Sequence, residues 1–298
     1  MLMDIAPIEV PYHESEKVKK EKEIQRKINS LELDFDLAKH EELQERMMEL
    51  GEHFEDSWQI AKMLKMLWPK LKLEEADKSE VLLGALLHDI GKTGPAEATP
   101  ELRQCISGLF RSPVNKFNIY KNVAGKNVLK TVADFIRETE QVDFIECRER
   151  LRSDLEVDIE TETMIDFWRR HADWSYDILF KEALEQDLHN EKAGQKITSD
   201  LVIMAASHHI LDNKNPANIK IEDIPASSRA LEIMDKYEIL ALADKYQAFI
   251  DRGHLNHTET ISALRNIVEQ SKLSTSLKKD YNKFIDILAS SEVELKSI

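Results

Sequence analysis

Glycine and proline are scarce, with eight of each in 298 residues, and no proline falls between positions 114 and 215 or between 226 and 298. Turn-rich β architectures need both residues at regular intervals, so their absence predicts a nearly all-helical chain. Cysteine is scarcer still. Cys105 and Cys147 lack the CxxC spacing of a zinc knuckle and suggest no disulfide framework, so a reducing cytoplasm is the expected location. No apolar run reaches 18 residues, and the start, "MLMDIAPIEVPYHESEKVKK", lacks a basic segment followed by an apolar one. Neither a membrane helix nor an export signal is expected. Positive charge is also in deficit. The formal net charge of -15 disfavours duplex nucleic acid as a partner, because binding it requires Lys and Arg to neutralise phosphates. A small phosphate-bearing ligand held through metal ions is compatible with that charge.

What is present is helical periodicity. Residues 1–36 read as an extended tail and a charged, solvated helix, a candidate arm for a homodimer. From Leu37 to Pro69 apolar residues recur every three or four positions, which predicts one helix, and a second is predicted from "ADKSE" to His88 with Gly91 as a left-handed cap. Residues 100–160 carry several shorter patterns and read as a helical insertion in a domain spanning 37–298. "TETMIDFWRRHADWSYDILFKEAL" predicts a long helix, and "SDLVIMAASHHIL" another capped by Ser199 or Asp200. The stretch 212–225, "DNKNPANIKIEDIP", is the most loop-like, and two amphipathic helices close the chain. Trp58, Trp68, Trp168 and Trp174 are spaced for packing. His13, His40 and His189 fall in charged segments and are expected at the surface, with His254 and His257 in a solvated turn.

The remaining histidines are placed differently. His53, His88, His171, His208 and His209 lie within or at the end of apolar helical segments, as do Asp89 and Asp244. A buried polar group must find a hydrogen-bond partner or a metal, and a buried carboxylate stays ionised only beside a compensating cation. For one histidine a satisfied core position is the simpler reading; five together with two acids point to a metal centre. Imidazole and carboxylate suit iron, manganese or zinc, and the lack of thiolates argues against structural zinc. Neighbours on a helix diverge by about 100°. His88–Asp89 and His208–His209 can therefore each serve one cluster only from a helix end, which is where both pairs fall.

"LLHDIGK", "ASHHILDN" and "LALADKYQAF", in this order with His53 and His171, resemble the HD-domain metal-dependent phosphohydrolases, and within them the HD-GYP group. The resemblance implies an all-α bundle around a multi-metal site. His53, His88, Asp89 and Asp244 would hold one ion, Asp89 would bridge to a second held by His171, His208 and His209, and Lys92 would contact a substrate phosphate. Glu49, four residues before His53 and so expected on the same helical face, is a candidate ligand for a third ion. The ions implied are divalent transition metals, iron or manganese foremost. The implied activity is hydrolysis of cyclic di-GMP, a cyclic dinucleotide, by a metal-bridged hydroxide, with Asp89 and Lys92 as catalytic residues. The sequence departs from the pattern at 212–225, where Pro216 remains but the glycine and tyrosine are missing. That departure and the insertion at 100–160 keep open a weak or inactive HD-GYP-like binding protein in signalling; a di-iron HD-domain oxygenase, which uses the same ligands, is a further alternative.

Overall fold

The computed structural model describes residues 15–111, 119–139, 144–188, 196–212, 236–251 and 253–296. Among these the chain is all-α apart from one hairpin, as the scarcity of glycine and proline predicted. Helix α1 (Glu16–Ser30) starts on a Ser15 cap and turns Ile24 and Ile28 into the interior of its own chain, so its few apolar side chains are already covered. Then follow α2 (Glu41–Leu50), α3 (Glu52–Leu67) and α4 (Glu75–Leu87). The single helix expected from Leu37 to Pro69 is two, because Gly51 adopts φ 60°, a left-handed conformation that no helix can pass through unbroken. Glu49 and His53 consequently sit on different helices rather than on one face.

Helix α4 is buried on every side from Val81 to Leu87, each large aliphatic side chain contributing roughly 1.5–3 kcal/mol through removal from water. It packs against α3, α9 (Ser199–Ala206) and α10 (Lys236–Asp251). The cap of α9 is Thr198, whose hydroxyl accepts from Leu201 N, not Ser199 or Asp200. Helices α11 (His257–Gln270) and α12 (Thr275–Ala289) close the bundle as expected, and α11 opens on an Asn256–Glu259 capping box.

Residues 98–174 build a second buried cluster of their own. It comprises α5 (Pro100–Arg111), a two-stranded antiparallel hairpin, β1 (Tyr120–Val123) and β2 (Lys126–Leu129), then α6 (Val132–Thr139) and α7 (Phe144–Leu155). The hairpin turns through Ala124 and Gly125, both at positive φ, and is the exception to the all-helical expectation. Helix α8 (Met164–Leu188) ties the two clusters together, burying Phe167 in the second and Ile178 in the main core. Residues 213–235, which include most of the stretch that departs from HD-GYP, lie outside the described residues, as do His13 and His189.

Cys105 of α5 and Cys147 of α7 form a disulfide, with Cα atoms 5.6 Å apart. This corrects the expectation that the two cysteines form no disulfide, and with it the cysteine-based argument for a reducing compartment. Spacing in sequence, here 42 residues, carries no information about a pair that only tertiary packing brings together. Closing a loop of that length should stabilise the fold by about 2–4 kcal/mol. Urea unfolding of a Cys105→Ser/Cys147→Ser variant is expected to show that loss; a midpoint equal to wild type, with or without reductant, would show that the cross-link contributes nothing. Among the described residues, no helix is long and apolar enough to cross a membrane.

Candidate metal centre

Five elements of the bundle deliver the polar residues singled out in the sequence. His53 stands in the first turn of α3; His88 caps the end of α4, with Asp89 next to it; His171 lies on α8; His208 and His209 follow the end of α9; Asp244 lies on α10. Asp89 leads into a short 3-10 turn, Ile90–Thr93, that packs on α8. Gly91 is needed there for proximity and not for a left-handed cap: a Cβ on it would fall 2.1 Å from the His171 carbonyl oxygen. The left-handed glycine is Gly94, at φ 99°.

The imidazoles are oriented by their own helices. Nδ1 of His88 faces the Ala85 carbonyl at 2.8 Å, Nδ1 of His171 that of Trp168 at 2.5 Å, and Nδ1 of His208 that of Ala205 at 2.5 Å. A carbonyl can only accept, so each Nδ1 carries the proton and each Nε2 presents a lone pair. Two of these lone pairs converge, His171 Nε2 standing 3.0 Å from His208 Nε2, and His209 Nε2 lies 3.1 Å from His171 Nε2. His88 Nε2 is fully buried without a hydrogen-bond partner, 3.5 Å from Asp89 and 3.8 Å from Asp244. Buried lone pairs aimed at one another repel unless a cation lies between them. An imidazole whose other nitrogen donates to a backbone carbonyl is also the usual form of a metal ligand. The donor set therefore fits divalent metal ions, and two groups have ligand atoms close enough to share one: His171, His208 and His209, and His88, Asp89 and His208.

Asp89 joins the two halves. Its Oδ1 is 3.3 Å from His171 Nε2 and 3.9 Å from His208 Nε2, while its Oδ2 faces His88 and accepts from Lys92 Nζ at 2.5 Å. Burial alone would raise its pKa, but Lys92, His88 and His171 hold the carboxyl well below the usual carboxylate range. His208 is lowered too, well below an ordinary histidine, by burial and by the neighbouring His209, His88 and His171. His88 is raised: burial opposes its charge, and Asp89 and Asp244 outweigh burial.

His53 and Glu49 meet other partners. His53 Nε2 faces the Phe110 carbonyl at 3.0 Å, and its Nδ1 lies 3.3 Å from Lys92 Nζ, so it reaches Asp89 through the lysine. The Arg103 guanidinium of α5 lies 3.1 and 2.9 Å from the two oxygens of Glu49. Two residues with structural weight went unread. Arg46 is fully buried and donates to Thr93 Oγ1 and to the carbonyls of Gly94, Pro95 and Ala96, fixing the chain just beyond Lys92. His40, expected at the surface, is 6% exposed and pairs with Glu182 at 2.6 Å. Glu42, four residues before Arg46, also pairs with it, but the partners that bury Arg46 and His40 are 47 or more residues away and leave no local pattern.

The centre opens into a cavity of about 210 Å³ lined by Asp56, Ile60, Asp89, Lys92, Asp244, Gln247, Ala248 and Asp251. One lysine against four aspartates makes it a negative cleft until cations enter.

Residues 51–140 match the HD domain. The matched segment contains His53, His88, Asp89 and Lys92 and ends before His171, His208, His209 and Asp244. Only the geometry joins the two sets. Neither the curated proteins nor the solved structures provide a significant match. HD domains are generally metal-dependent hydrolases, which supports a phosphohydrolase, and the helical bundle fits the HD fold.

Proposed function

We propose that the chain is a metal-dependent phosphodiesterase whose substrate is a cyclic dinucleotide, cyclic di-GMP foremost. The observation that carries the reading is Asp89, one oxygen turned to each half of a histidine cluster whose buried Nε2 lone pairs require cations. In this reading His88, Asp89 and Asp244, with His53, hold one ion, and Asp89, His171, His208 and His209 hold another. Bound there, divalent ions, iron or manganese, supply a nucleophilic water at neutral pH and offset charge on the phosphoryl oxygens. Lys92 exchanges its hold on Asp89 for a phosphate oxygen, a short move for a flexible ammonium whose partner is shared with other cations. The Asp56 and Asp251 carboxylates at the cleft exclude anionic groups that are not metal-held, which makes binding conditional on ions. Given its 210 Å³, the cleft takes the phosphodiester while the bases lie outside it.

The test is hydrolysis of cyclic di-GMP, alongside bis(p-nitrophenyl) phosphate, by freshly purified protein of known metal content. Hydrolysis should stop on chelation and return with Mn²⁺ or Fe²⁺. A protein that carries its ions and cleaves neither diester would sink the proposal. Binding without cleavage would favour a signalling receptor, and O₂ consumption a di-iron oxygenase.

For Glu49 the Arg103 pair argues against a third ion, since a cation would have to displace a guanidinium bonded to both Glu45 and Glu49. Glu49→Ala should leave the ion count per chain unchanged. A drop of one ion by elemental analysis would restore it as a ligand.

A further inference from the structure

A cavity of about 600 Å³ lies away from the metal centre, between the start of α2, the C-terminal part of α8 and residues 96–103. Its floor is polar and buried. His40 is 6% exposed, Glu182 8% and Gln186 4%. Glu182 Oε1 is 2.6 Å from His40 Nδ1, the ring of Phe35 stacks on the imidazole at 4.6 Å, and Gln186 Oε1 accepts from Ile197 N. Because a carboxylate can only accept, Nδ1 donates to Glu182. Nε2 has no hydrogen-bond partner among the described residues and is the polar atom His40 brings to the cavity.

The rim is acidic. Glu42 is matched by Arg46 and Lys181, and Glu45 by Arg103, whereas Glu41, Glu97 and Glu185 are exposed and form no ion pair among the described residues. Lys39 is half exposed and lies 3.9 Å from Asp36. Glu97 also helps raise the pKa of nearby Asp177, after burial and Asp173, a sign of uncompensated negative charge on this side. The carboxylates are spread around the rim. No three potential ligand atoms here lie within 4.8 Å of one another, so the cavity is not built for a metal ion. Ala96 and Ala98 give it a small apolar wall.

We propose that this cavity is a second binding site, for a small organic polycation with amine groups separated by methylenes, of the polyamine class. One ammonium donates to His40 Nε2 at the buried floor, the others meet Glu97, Glu185 and Glu41, and the methylenes cover the alanines. The volume lies within the range of small-molecule sites and far exceeds the need of a single ion. A buried imidazole nitrogen and peripheral carboxylates are the complement of such a chain, because each ammonium keeps a partner without being stripped of water altogether.

The experiment is calorimetric titration of the full-length protein with spermidine in 150 mM NaCl, a salt level that screens weak surface attraction. Saturable one-to-one binding is expected, at least tenfold weaker in Glu97→Gln/Glu185→Gln, whose exposed sites leave folding untouched, and weaker again in His40→Gln. Asp251→Asn, on the rim of the metal cleft, should leave the affinity unchanged. Absence of saturable binding, equal affinity in the double variant, equal weakening by Asp251→Asn, or displacement by equimolar Mg²⁺ would each overturn the assignment.

Discussion

Asp89→Asn should strip the centre of its ions and lower diester hydrolysis by about a thousandfold, equivalent to ~4 kcal/mol on the barrier. The substitution keeps the shape of the side chain and removes what the site needs from it. One of the two oxygens becomes an amide N–H, so the side chain can no longer face His88 with one acceptor and His171 with the other. Lys92 then loses the charge of its 2.5 Å partner and keeps its 3.3 Å contact with His53, so the ion pair that anchors the ammonium beside the centre is gone. Elemental analysis of the purified variant, with circular dichroism as a check on folding, decides the matter. Retention of two ions per chain at wild-type helicity would remove Asp89 from the centre of the reading. Asp56→Asn is the control: it lines the same cleft with a side chain 50% exposed and should keep both ions.

The residues of the cluster were legible because they violate local rules. His88 and Asp89 end a run of seven buried residues, and Asp244 interrupts an apolar helix, so each had to be reconciled with burial by something outside its own segment. Their number and order did the rest. Where the sequence misled, the missing information was tertiary. Glycine inside a helical pattern costs only ~1 kcal/mol, so periodicity ran through Gly51 and placed Glu49 beside His53. The match of Glu49 to Arg103 spans 54 residues, that of His40 to Glu182 142, and the disulfide 42. None of these pairs leaves a periodic trace, because each member satisfies the other only after the helices have packed.

Gly91 shows the same distinction, and Gly91→Ala should cost at least a hundredfold in turnover together with the loss of an ion. Its hydrogen stands where a Cβ would meet the His171 oxygen at 2.1 Å, the Ser175 nitrogen at 2.5 Å and Ser175 Oγ at 2.9 Å. Two of these are backbone atoms of α8 and cannot rotate away. Relief requires that helix and turn separate by roughly 1 Å, and a displacement of that size at a reacting centre costs on the order of a hundredfold. The move also breaks the bond from Gly91 N to Ser175 Oγ at 2.9 Å and that from Ser175 Oγ to the His88 carbonyl at 2.7 Å. His171, carried on the displaced helix, then leaves Asp89, and the stability loss should exceed the ~3 kcal/mol usual for an overfilled core. Ser175→Ala separates the two effects. It removes both hydrogen bonds while leaving the space open, so it should lose about 1–2 kcal/mol and keep its ions. If Gly91→Ala instead melts with wild type and carries a full complement of metal, the close approach of α8 to the turn is not what holds His171 against Asp89.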